Sequence, residues 1–204
     1  MPVMSEVPLV FCWSKPNRKS IATFISGQQH REFSYAGVGD SRRQPPNGFT
    51  VDHNRVKLGH GAETFERARL AIKEWKMFDI PWISLCWPDA PIEKGASVAV
   101  LVSHLGFWSL NACRIVYTIE EKESSERFGF AYGTLPDHGE MGEERFLVEC
   151  NREDHSVWYD LLAFSRPRMW ARVAYPFTRA LQKRFARDSK AAMLKAVQGP
   201  LHGG

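Results

Sequence analysis

The chain lacks any apolar run approaching the roughly 20 residues that a membrane-spanning helix needs, so no transmembrane anchor is expected. Its first thirty residues carry no basic start, apolar block or small-residue cleavage site of a secretory leader, and a cytoplasmic protein is expected. Cysteine is sparse. Cys12, Cys86, Cys113 and Cys150 lie far apart with no CxxC pair, which excludes a disulfide framework and reads as reduced core thiols. No GxSxG, no HExxH and no Gly-rich nucleotide fingerprint occurs, which removes the sequence signatures of several hydrolase, metalloprotease and nucleotide-binding classes. Neither a metal nor a cofactor is expected. Without repeats, low-complexity segments or an interdomain linker, the 204 residues suit one domain. We read 1–17 as an irregular extension, 18–198 as the domain and 199–204 as a flexible tail.

What the chain does have is aromatic bulk: seven Trp and thirteen Phe, within an apolar fraction of 44%, enough for a real core. Charge is distributed unevenly. From Arg166 onward nine Lys or Arg face one acid, Asp188, so that part carries +8 and residues 1–165 carry −4. A basic segment points to an anionic partner such as a lipid surface; the plainer reading is a solvated helix face balanced by the acidic remainder. Nucleic-acid binding is not expected, because no recognition motif accompanies the basic residues.

Periodicity predicts a short helix over 20–29 capped by Ser20, and an amphipathic helix over 63–78 with Phe65, Ala68, Ile72 and Trp75 on its apolar side. Strands are predicted at 51–59, 81–87, 97–104, 108–120, 127–135, 143–150 and 156–164, joined by short polar gaps that favour antiparallel hairpins. Beyond Pro167 the pattern is helical again. Pro176 cannot sit inside a regular helix, so a short helix over 168–174 and a long one over 176–197 are predicted. Strand, helix, six strands and a long terminal helix suggest an α+β helix-grip fold, a curved antiparallel sheet of about seven strands wrapped around the C-terminal helix.

Strand alternation then proposes an interior. Phe146, Val148 and Cys150 share a face with Glu144, whereas Glu143, Arg145, Leu147 and Glu149 take the other face and read as solvated. A carboxylate on an apolar face needs partners or a proton; Arg114, Tyr117 and Tyr132 are the candidate partners. A structural pair is the preferred reading of Glu144, and general acid or base the alternative. Gly129, Ala131 and Gly133 alternate with Phe128, Phe130 and Tyr132 and permit a close approach to one face of the sheet. His138, in the turn LPDHGEMG, has no second histidine or cysteine at ligand spacing and reads as a surface residue. His60, in LGHGAET before the second helix, gives only a weak anion-site signal. Cys113 reads as an inert buried thiol.

The segments FSYAGVG (33–39), LGHGAETFERARLAIKEWKMF (58–78), CRIVYTIEE (113–121), FGFAYGTLPDHGEMGEERF (128–146), SVWYDLLAFSRP (156–167) and PFTRALQKRFARDS (176–189) resemble the uncharacterised domain-of-unknown-function family numbered nineteen-ninety. The resemblance runs over about residues 20–197. It implies a helix-grip, lipid-transfer-like or polyketide-cyclase-like fold, and carries over no catalytic residue. The expected function is binding of a hydrophobic or amphipathic small molecule, such as a lipid, isoprenoid or aromatic metabolite, between sheet and terminal helix. Phe130, Tyr132, Phe146, Trp158, Trp170 and Phe177 are the candidate lining residues. The basic C-terminal helix could rest on an anionic membrane during exchange. The alternative is an enzyme of cyclase or hydrolase type, with Glu144 as acid or base and Arg114, Tyr117 or Tyr132 stabilising charge. A solid core acting only through its surface is a third reading.

Overall fold

The computed structural model describes residues 11–122, 125–167 and 175–198. Eight strands and three α-helices follow in the order β1 (Phe11–Cys12), α1 (Arg18–Gln28), β2 (Thr50–His60), α2 (Gly61–Lys73), β3 (Ile83–Cys86), β4 (Ser97–Ser103), β5 (Trp108–Glu121), β6 (Glu126–Thr134), β7 (Glu140–Cys150), β8 (Ser156–Pro167) and α3 (Tyr175–Gln198). Seven strands form one antiparallel sheet in the order β2-β8-β7-β6-β5-β4-β3, and the short β1 pairs with β5. From β3 onward every neighbour in the chain is a neighbour in the sheet, as the short polar connections require; only β2 crosses to the far edge, against β8. The fold is α+β of the helix-grip kind, with α2 and α3 on the inner face. The predicted helix over 168–174 and Trp170 lie outside the described residues.

Two local predictions change. The cap of α1 is Asn17, whose side chain accepts from the Ser20 amide at 2.9 Å, so the helix begins three residues earlier than a Ser20 cap would give. Helix α2 stops at Lys73 instead of running to residue 78. Trp75 adopts a left-handed conformation (φ 55°), and a 3-10 turn Lys76–Phe78 follows. The apolar spacing continues through that break, which is why periodicity alone runs past it. Trp75 is secured by burial and by its indole N–H, which donates to the Ala90 carbonyl at 3.1 Å.

The main core lies between the inner face and the two helices. Phe130 and Phe146 are fully buried and stack at 5.2 Å, with Trp75 edge-on to Phe130 at 4.8 Å and Phe78 against Phe146 at 5.5 Å. The outer face is covered too. Helix α1 packs on Leu101, Leu110 and Ala112, and the segment 33–43 lies over Ala131 and Leu147. Here the expected solvated face fails: Glu143 is 2% exposed and Leu147 1%. Glu143 holds the segment down, accepting from the Tyr35 hydroxyl at 2.6 Å, the Gly39 amide at 2.7 Å and the Ser41 amide at 3.2 Å. Gly133 is required for that approach, since a Cβ there would overlap the Tyr35 ring.

A register shift in β5 between Ile115 and Tyr117 reassigns one candidate. Ile115 pairs with Tyr132 on the inner face, but Tyr117 pairs with Ala131 and turns outward, where its hydroxyl meets Ser41 Oγ at 2.6 Å. Such a bulge reverses the alternation on which a face assignment depends.

Candidate functional site

A cavity of about 660 Å³ lies between the inner face and α3. Its existence follows from side-chain size along the register. Across four strands the inner row reads Tyr132 (β6), Glu144 (β7), Ala163 (β8) and Asp52 (β2), and the next row includes Gly142 and Ser165. Small residues at 142, 163 and 165 leave the floor low, where the rows bearing Phe130, Phe146 and Leu161 fill the space to the helices. Much of the remaining wall is apolar, formed by Phe78, Trp82, Ile83, Val100, Val102, Leu181 and Phe185, with Asn54, His104, Asn111, Thr134 and His138 among its polar members. At the rim stand Phe11, Trp13, Phe107 and Phe177, with Trp13 88% exposed and Phe177 50%.

Polar contacts hold α3 over this floor. Arg179 pairs with Asp52, its Nη2 lying 2.7 Å from Oδ1, and Gln182 Nε2 donates to Ser165 Oγ at 2.8 Å and to Glu140. Further along, the Tyr159 and Ser189 hydroxyls meet at 2.9 Å, and the Trp82 indole donates to Asp188 at 2.9 Å.

Glu144 is enclosed by protein, and the accessible surface it retains faces the cavity. One carboxyl oxygen accepts from the Tyr132 hydroxyl at 2.8 Å; among the described residues that is its only hydrogen bond. Desolvation pushes its pKa up to about 8, opposed by the Tyr132 hydrogen bond and reinforced by the charges of Glu140 and Asp52. Burial raises Glu140 as well, while Gln182 and Arg179 lower it. The Tyr132 hydroxyl is held far above its ordinary range by burial and by Glu144, so it stays a neutral donor. Near the rim, His104 Nε2 lies 2.8 Å from Ser109 Oγ, to which Asn111 also donates at 3.2 Å; burial lowers the His104 pKa.

The structure distributes the sequence candidates widely. Tyr132 and Phe177 line the cavity with Glu144. Phe130 and Phe146 lie on the same face but in the solid core beside it. Trp158 points to the opposite face, under Arg55 at 4.9 Å, because Val157, Tyr159 and Leu161 take the inner positions of β8. Arg114 also faces outward. Its guanidinium donates to the carbonyls of Gln28 at 2.6 Å, Gln29 at 2.8 Å and Arg31 at 2.9 Å, closing the C-terminal end of α1. Of the three partners expected for Glu144, therefore, Tyr132 alone reaches it; Arg114 and Tyr117 are on the other side of the sheet. His138 lines the cavity and its Nδ1 accepts from the Glu140 amide at 2.9 Å, whereas His60 is the residue preceding α2 and does not line it. Among the described residues no group of three His, Cys, Asp or Glu side chains is placed to hold a metal, and no helix is long and apolar enough to cross a membrane.

Sequence reasoning missed Asp52, Glu140 and Phe78. The alternation 140, 142, 144 is present in the sequence, but the glycines of LPDHGEMG predict a turn through Glu140 and a strand from 143, whereas β7 begins at Glu140. Phe78 reaches the cavity only through the left-handed residue at 75.

The profile of the family described as "Domain of unknown function (DUF1990)" matches residues 34–192. A UPF0548 protein of Dictyostelium discoideum is 36% identical over 207 aligned residues, covering 92% of this chain and 96% of its own. The UPF0548 protein At2g17695 of Arabidopsis thaliana is 34% identical, covering 91% and 96%. Among solved structures, Ara h 8.0201 is similar with a TM-score of 0.49 at 13% identity, covering 74% of this chain and 99% of that one. Human STARD10 is similar with a TM-score of 0.41 at 12% identity, covering 89% and 81%. A profile spanning most of the chain and relatives named UPF0548 aligned over nearly all of it leave one assignment: the chain belongs to the DUF1990 family.

Proposed function

We propose that the protein binds a hydrophobic or amphipathic small molecule in the cavity between sheet and α3. The observation that carries this reading is a largely apolar space of about 660 Å³ between the sheet and α3 with a limited set of polar side chains on its wall. That size and composition suit a small-molecule site, in which apolar walls supply affinity and a few polar groups fix orientation. A lipid, an isoprenoid or an aromatic metabolite fits the description. Native mass spectrometry of freshly purified protein tests it by weighing any retained molecule. Ala163→Phe, which fills the floor of the cavity, is expected to abolish uptake of the neutral dye Nile red without lowering the melting temperature. Undiminished uptake by that variant refutes the reading.

Exchange with a membrane is part of the proposal. The exposed Lys183 and Arg187 on α3 offer charge to an anionic bilayer, and Trp13, Leu105 and Phe177 offer apolar bulk beside the rim. Cosedimentation with vesicles containing anionic lipid is expected, and is expected to fall on Trp13→Ala.

A second reading, an enzyme, is favoured by Glu144, an enclosed acid with a raised pKa, hydrogen-bonded to Tyr132 and facing a void. Arg114 and Tyr117 take no part in it. If a turnover is found, Glu144→Gln abolishes it; a turnover that survives the change excludes Glu144 as its acid or base.

A further inference from the structure

The cavity lining is acidic in a basic protein. The chain has a net charge of +4, yet the described lining residues bring the acidic side chains of Asp52, Glu140 and Glu144 to the inner face and include no Lys or Arg. Glu143 borders the cavity but turns its carboxylate to the outer face, where the segment 33–43 engages it. Asp52 is paired with Arg179 at the cavity edge, and Glu140 accepts from the neutral Gln182. Glu144 lines the cavity and, among the described residues, has one neutral donor, the Tyr132 hydroxyl, and no cation.

Building on the binding reading, we infer that this end of the cavity selects a cationic head group, an amine carried on an apolar body. A carboxylate enclosed in protein is costly unless paired, and what Glu144 lacks is a cation. The Phe78 and Tyr132 rings, in contact at 6.2 Å, both line the cavity, and an ammonium lying over either ring gains further attraction. A negatively charged head would instead meet Glu140, Glu144 and Asp52 together. Without ligand, burial keeps a proton on Glu144 near neutrality. Ammonium binding then displaces that proton, so affinity rises with pH as the carboxyl becomes easier to ionise. The groups facing Glu144 are Tyr132 on β6, Cys113 on β5, Glu140 on β7, Tyr159 on β8 and Asp52 on β2. From α3, Arg179 reaches Asp52 and Glu140, and Lys190 reaches Asn54 at 3.3 Å; His138 lies in the loop before β7. Only Glu144 combines a missing partner with a pKa close to neutrality.

Displacement of Nile red by octylamine and by octanol tests the inference, since the two share a chain and differ in head-group charge. At about pH 7.5 octylamine is expected to compete at about tenfold lower concentration than octanol, and to weaken about tenfold per pH unit below that. Glu144→Gln removes the preference and the pH dependence. Glu140→Gln, with its fold checked by circular dichroism, reduces the preference about threefold and provides the test if Glu144→Gln does not fold. Octanol competing as well as or better than octylamine overturns the inference and leaves the binding reading intact. Failure of the wild-type protein to take up Nile red, octylamine or octanol overturns both.

Discussion

Replacing Glu144 by Gln should stabilise the ligand-free protein at neutral pH and do nothing of the kind in mild acid. The folded carboxyl holds its proton up to about pH 8, against an ordinary value of 4.5. Between those limits the unfolded chain has released a proton that the folded chain retains. The unfolded state then binds fewer protons, so stability falls as pH rises, by about 1.4 kcal/mol per unit. From about pH 5 to about pH 7.5 the folded protein loses about 3 kcal/mol through this one group. Glutamine keeps the shape, accepts from Tyr132 and does not titrate. The difference in melting temperature between Glu144→Gln and wild type should therefore shift in favour of the variant by about 6–12 °C over that interval, at about 2–4 °C per kcal/mol for a chain of this size. Glu140, also raised by burial, titrates in both proteins and largely cancels. Calorimetry of both proteins at the two pH values is the measurement. A gap that stays constant, or moves toward the wild type at the higher pH, refutes the argument that Glu144 is held protonated by desolvation.

Other consequences are as direct. Glu143→Ala strands the Tyr35 hydroxyl and the Gly39 and Ser41 amides, and should cost about 3 kcal/mol; hydrogen exchange at Gly39 and Ser41 should accelerate before global unfolding. Arg114→Ala leaves the last carbonyls of α1 without their donors, and should cost about 2 kcal/mol, with faster exchange confined to that helix and the strands beneath it. Neither change should alter Nile red uptake at temperatures where the variants remain folded, because both side chains act on the outer face; a loss of uptake in folded Arg114→Ala would show that the two faces are coupled.

The element order was legible because each signal is local. Valines at 98, 100 and 102 favour β4, the short polar gap between 150 and 156 marks the reversal before β8, and Pro176 lies in the first turn of the last helix. The candidate site was half legible. Glu144 and Tyr132 could be placed on one apolar face by counting in twos. The count fails for Tyr117, where one extra residue in β5 turns the side chain over. It places Glu143 on the right face, but the solvated reading of that face fails, because a segment about a hundred residues earlier buries it. Alternation puts Phe130 and Phe146 on the inner face, yet no alternation distinguishes a residue that lines a void from one that fills the core next to it.

The sequence by itself determined the order and type of the main strands and helices, and that a long apolar-striped helix must cover one face of the sheet, since backbone preference and side-chain periodicity are properties of neighbours in the chain. Only the tertiary structure decided that Gly142, Ala163 and Ser165 align across strands to open a space, and that Asp52, Glu140 and Glu144 meet at its end with no lysine or arginine on its described wall. Register between strands distant in the chain depends on every pairing at once, and it is register that turns small residues into a cavity and separate acids into a site.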